Sequence, residues 1–153
     1  MLMAQRLSPA LGAILEAPSF DEAAMPALAE AAYEALMEHQ VIFFRGTDIS
    51  PAAHLAFAQA FGEIDEPHPI YPSVDGFDRI VKLENNSDVP PDTNSWHTDL
   101  TYKRVQPFAS ILVARSIPEL GGDTLWASLY AAYDRLPEGM KSDLAGLEAI
   151  HDL

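Results

Sequence analysis

The period of the apolar residues changes along this chain, and no other feature constrains its fold as much. In SFDEAAMPALAEAAYEALMEH, Met25, Leu28, Ala32, Ala35 and Leu36 recur at helical spacing, with Ser19 and Glu22 in the pattern of a capping box and Pro26 late for that cap, which leaves the helix start open by several residues. The repeat then stops at VIFF, 41–44, a short apolar run rich in strand formers that Arg45-Gly46 closes; it predicts a buried strand. ISPAAHLAFAQAFGE returns to the helical period, with Ser50 as N-cap, Pro51 at the first helical position and Gly62 as a stop. RIVKL (79–83), WHTDLTY (96–102), FASILVARS (108–116), TLWAS (124–128) and AIHDL (149–153) read as strands. Ser128 caps a further helix, and Pro137 opens another with Met140, Leu144 and Leu147 on one face. Helices and strands in this order make an α+β domain.

Composition narrows the function. The 153 residues suffice for one domain with a core, and no repeat, linker or low-complexity segment divides 1–153. With 23 acidic and 9 basic residues the formal charge is -14, which repels phosphate backbones and anionic lipid, so neither nucleic acid nor membrane is an expected partner. The chain has no cysteine, which removes disulfides, thiolate metal sites and cysteine nucleophiles together. It begins with nothing like a signal peptide and has no apolar run near the roughly 20 residues of a membrane span, so a cytoplasmic location is expected. EPHPIYPSVDG and NNSDVPPDTNS are loops of a length that tends to be functional or mobile.

NSWHTDLTY carries the chemistry. On a strand, His97 and Asp99 project to the same face while Trp96 and Thr98 turn the other way. An imidazole and a carboxylate side by side can fill two adjacent positions around one metal ion. With a second histidine they make the two-histidine-one-carboxylate set of non-haem Fe(II) oxygenases, and Trp96 would help keep such a site dry. The tripeptide H-x-D alone is weak, expected by chance about 0.4 times in a chain of this composition. Taken alone it fits better a strand with a hydrogen-bonded histidine and a solvated aspartate.

The whole order of segments is more specific. The first helix, VIFFRG, SPAAHLAFAQAFGEI, HPIYP, an asparagine-rich loop, WHTDLTY and IPELGGDTLWAS-x-x-AYDRLP together resemble the TauD/TfdA family of Fe(II)- and 2-oxoglutarate-dependent dioxygenases, the taurine dioxygenase branch most of all. The resemblance implies a partial double-stranded β-helix, or jelly roll, with flanking helices and with its C-terminal strands absent. It implies His97 and Asp99 as two Fe(II) ligands, and Thr124 in GGDTLW as a hydroxyl contact to a carboxylate of 2-oxoglutarate, the co-substrate beside dioxygen. His68 and Tyr71 in HPIYP match residues that hold a sulfonate, so a small anionic organic substrate is implied; the same residues also suit a loop packed among prolines. Where the family has a sulfonate-site asparagine, four residues before the iron histidine, this chain has Thr93, with Asn94 displaced by one, which argues against taurine itself. His39, His54 and His151 read as structural. The family's third iron ligand and its 2-oxoglutarate arginine match no residue here. The expected partners therefore include a homo-oligomer or a complementing C-terminal half, and the rival reading is a non-catalytic truncated remnant or interaction module.

Overall fold

A computed structural model describes residues 3–16, 19–67, 69–86, 88–90 and 95–152. The elements run β1 (Ala4–Arg6), β2 (Ala13–Leu15), α1 (Met25–His39), β3 (Ile42–Phe43), α2 (Pro51–Gln59), β4 (Ser73–Val74), β5 (Phe77–Val81), α3 (Leu129–Asp134) and α4 (Glu138–Leu144). The chain divides into two compact units. One takes in the residues up to Asp48 together with Val113–Ala149, the other Ile49–Leu112 together with the residues from Ile150 on.

In the first unit β2 is the central strand, antiparallel to β1 and parallel to β3. The β1–β2 connection is set by Ser8, whose hydroxyl accepts from Leu11 N at 3.1 Å and donates to Leu11 O at 2.6 Å, and by Gly12 at φ +92°, a conformation that disfavours other residues. A parallel neighbour needs a crossover, and α1 supplies it. Met25, Leu28, Ala29, Ala32 and Ala35 of α1 are buried, as are Ala13 and Leu15 of β2. Phe43 meets Trp126 edge to face, ring centroids 5.1 Å apart.

The start of α1 differs from expectation. No side chain caps it at Ala24; instead Asp21 Oδ1 accepts from Ala24 N at 2.8 Å while Ser19 Oγ accepts from Asp21 N, and Glu22 takes no cap role. Pro26 is the reason: it is tolerated only in the first turn, so the helix opens one residue before it. The predicted caps at Ser50 and Ser128 are present, accepting from Ala53 N and Ala131 N, and α4 begins directly after Pro137.

In the second unit β4 and β5 form an antiparallel hairpin across Asp75-Gly76, with Gly76 at φ +77°. This turn sets the register, so β5 spans Phe77–Val81 rather than the expected 79–83. Phe57 of α2 is buried and meets Phe61 edge to face at 5.1 Å.

Four strand expectations are corrected. Residues 96–102, 108–116, 124–128 and the described part of 149–153 form no strand, and no closed barrel exists among the described residues. A strand is a relation to a neighbour, and these apolar runs meet no partner strand among the described residues. No helix is long and apolar enough to cross a membrane among the described residues.

Candidate functional site

The backbone at His97 is irregular, and a turn follows over residues 99–102, with Leu100 at φ +53° and Lys103 N bonded to Leu100 O at 3.0 Å. His97 and Asp99 are nevertheless together: Nε2 of the one is 3.4 Å from Oδ1 of the other. The pleat expected to align them is replaced by this turn. Trp96, expected to shield the pair, is 70% exposed, and the two side chains are themselves about half exposed.

Each member of the pair is held from behind. His97 Nδ1 is 2.9 Å from Ser95 O; a carbonyl oxygen only accepts, so Nδ1 carries the proton. With Nδ1 turned to Ser95 O, Nε2 is the ring nitrogen on the side of Asp99. Asp99 Oδ2 accepts from Ser110 Oγ at 2.7 Å, leaving Oδ1 on the side of His97. The bonds to Ser95 and Ser110 leave Nε2 and Oδ1 as the two atoms that face each other. Two donors bonded to one metal ion at about 2.1 Å each stand roughly 3 Å apart at a right angle, close to the spacing found here. Ring N–H to backbone carbonyl on the far side is the usual outer support of a metal-binding histidine. The pair therefore fits as two ligands of one metal ion. No group of three or more metal-binding side chains occurs among the described residues.

The neighbourhood is cross-linked. Lys103, at the end of the turn, donates to Asp65 Oδ2, and Arg79 of β5 donates to Ile64 O at 3.2 Å, Asp65 O at 2.7 Å and Glu66 Oε1 at 3.2 Å. The Lys103 hydrogen bond holds the Asp65 carboxyl below its ordinary pKa. These contacts fix residues 64–66, which lead into HPIYP. Of that motif, Tyr71 is half-buried just before β4, while His68, like Thr93, lies outside the described residues. Thr124 is exposed and belongs to the first unit, beside the turn in which Gly121 and Gly122 have φ +77° and +70°. His39 ends α1, buried; His54 Nε2 bonds Ile111 O at 3.1 Å and His151 Nδ1 bonds Thr101 Oγ1 at 2.9 Å. Ser95, Ser110, Lys103 and Asp65 are not among the residues the sequence singles out. Nothing in their spacing marks them, because the fold and not the local period brings them to the site.

Comparison with known proteins adds to this geometry. The profile of the taurine catabolism dioxygenase TauD, TfdA family matches residues 4–153. An alkylsulfatase of Acinetobacter baylyi is 42% identical over 120 residues, covering 78% of this chain and 37% of the relative. An alpha-ketoglutarate-dependent sulfate ester dioxygenase of Pseudomonas putida is 37% identical over 150 residues, 97% of this chain and 48% of the relative. A Burkholderia xenovorans crystal structure described as an alpha-ketoglutarate-dependent taurine dioxygenase superposes with a TM-score of 0.81 at 30% identity, over 95% of this chain and 52% of that one. The chain thus spans about half the length of the relatives it matches.

Proposed function

Because residues 4–153 match its profile, this chain belongs to the TauD/TfdA family, and from that premise we propose that it forms part of an Fe(II)- and 2-oxoglutarate-dependent dioxygenase of jelly-roll fold acting on a small organic sulfate ester. The observation that carries the reading is the arrangement at 97–99: Nε2 and Oδ1 face each other at 3.4 Å while Nδ1 and Oδ2 are tied to Ser95 and Ser110.

Bound iron supplies the dioxygen chemistry that couples decarboxylation of 2-oxoglutarate to hydroxylation of a substrate C–H bond. The chain's own residues hold and orient. His97 and Asp99 supply two ligands, with tautomer and carboxylate rotation set by Ser95 and Ser110. Thr124 donates its hydroxyl to a carboxylate of 2-oxoglutarate, and Tyr71, His68 and Thr93 donate to the anionic head of the substrate. The two oxygen atoms of dioxygen end in succinate and in the new hydroxyl, and carbon dioxide leaves. When the hydroxylated carbon bears a sulfate ester, the product collapses: the carbon–oxygen bond to sulfate breaks, the hydroxyl loses its proton, and an aldehyde and inorganic sulfate result. The sulfate-ester head group is preferred over a sulfonate because both the alkylsulfatase and the sulfate ester dioxygenase share more identity with this chain than the taurine dioxygenase structure does.

Calorimetric titration with Fe(II) under anaerobic conditions tests the metal site. Weak binding by the chain, lost in the double variant His97→Ala/Asp99→Ala, is expected; equal heats from both proteins would refute it. For the substrate, a chimera continuing this chain with the C-terminal part of the Pseudomonas putida relative should release succinate faster with alkyl sulfates than with alkyl sulfonates or neutral alcohols.

A further inference from the structure

We infer that Ser110 is a positioning residue for the metal site, acting through Asp99; the inference rests on the reading of His97 and Asp99 as ligands. A carboxylate has two equivalent oxygens and turns easily about its last bond, so an exposed aspartate offers a metal no fixed donor. Ser110 removes that equivalence. Its hydroxyl donates to Oδ2 at 2.7 Å, a charge-assisted bond, and leaves Oδ1 alone on the side of His97 Nε2.

Ser110 is itself held from both sides. Two residues earlier, the Phe108 ring stacks on Phe61, centroids 6.3 Å apart and planes 22° from parallel. One residue later, the His54 ring N–H donates to Ile111 O at 3.1 Å. The two partners are His54 within α2 and Phe61 just beyond its end. The first turn of α2 is in turn set by the Ser50 cap. The fold thus carries a chain of contacts from a helix, through a segment with no strand partner among the described residues, to one oxygen of Asp99. Ser110 is exposed, so burial of its side chain does not explain its place.

The test uses Mn(II) as the probe, titrated into the 153-residue chain and followed by paramagnetic broadening of the amide signals of residues 95–103. Four proteins are compared: the unchanged chain, Ser110→Ala, Ser110→Thr and His97→Ala/Asp99→Ala. Ser110→Ala should weaken Mn(II) binding about tenfold, the low end of what outer-shell partners contribute, and Ser110→Thr, which keeps the hydroxyl, should weaken it by no more than about threefold. The melting temperature of both single variants should match that of the unchanged chain. Ser110→Ala binding as tightly as the unchanged chain, while the double variant binds far more weakly, overturns the role of Ser110 and leaves the metal site standing. Ser110→Thr binding as weakly as Ser110→Ala overturns that role as well. Undiminished binding by the double variant overturns the ligand assignment itself.

Discussion

Single side chains hold the ends and the centre of the elements. Ser50 Oγ accepts from Ala53 N at 3.2 Å, satisfying one of the free amides that every helix start leaves. Ser50→Ala should lower stability by about 1 kcal/mol, visible as a lower urea midpoint with unchanged slope. Leu28 is 1% exposed in the core between α1 and β2, so Leu28→Ala should cost roughly 3 kcal/mol, measured in the same way. Asp65 makes a prediction about pH. Its folded pKa lies below the ordinary 3.8 because Lys103 hydrogen-bonds to the ionised form. A lowered folded value stabilises the fold at pH above the unfolded pKa, and that contribution fades as pH falls below about 4 through the folded value. The pair is partly exposed, so the effect is small and salt-sensitive. Measured by urea unfolding, stability should fall less steeply from about pH 5 to about pH 3 in Lys103→Met than in the unchanged chain.

At the scale of elements, Arg79 ties β5 to the segment before HPIYP through three acceptors. Arg79→Ala should leave the β4–β5 hairpin intact and speed proteolysis or amide exchange across 63–67; unaltered exchange there would contradict the tether. Arg79→Lys should restore little, since a point charge cannot span three acceptors. Elements governed by their own sequence are legible in it. The period and the Ser50-Pro51 start announce α2, and Ser128 and Pro137 announce α3 and α4. Elements governed by neighbours are not. AQR and AIL are too short to show any period, yet they pair as β1 and β2, whereas FASILVARS has every local mark of a strand and pairs with none among the described residues. The site divides the same way. The closeness of His97 and Asp99 follows from two positions in sequence, whatever the backbone does between them. The hold of Ser110 on Asp99 spans eleven residues and depends on tertiary contacts, so no local pattern reveals it.

For the whole molecule the distribution of apolar surface decides behaviour. Val105, Leu120 and Ile150 are 83%, 88% and 99% exposed, and Leu112, Ile117, Leu125 and Leu147 are each about two-thirds exposed or more. Surface of this kind associates. The apparent mass of the chain in solution should rise with concentration, and Leu120→Lys/Ile150→Lys should reduce the rise; a concentration-independent monomer would contradict this. Core formation is distributed just as unevenly, with a consequence in time. Among the described residues, every buried apolar residue of the first unit, from Ala13 to Ala35, and every strand of its sheet lie within residues 4–43. Contacts so close in sequence form quickly. A ribosome adding about 5–20 residues per second has therefore synthesised everything the sheet needs roughly 3 seconds or more before it reaches His97, so the scaffold can begin to form before the residues that do the chemistry have been made.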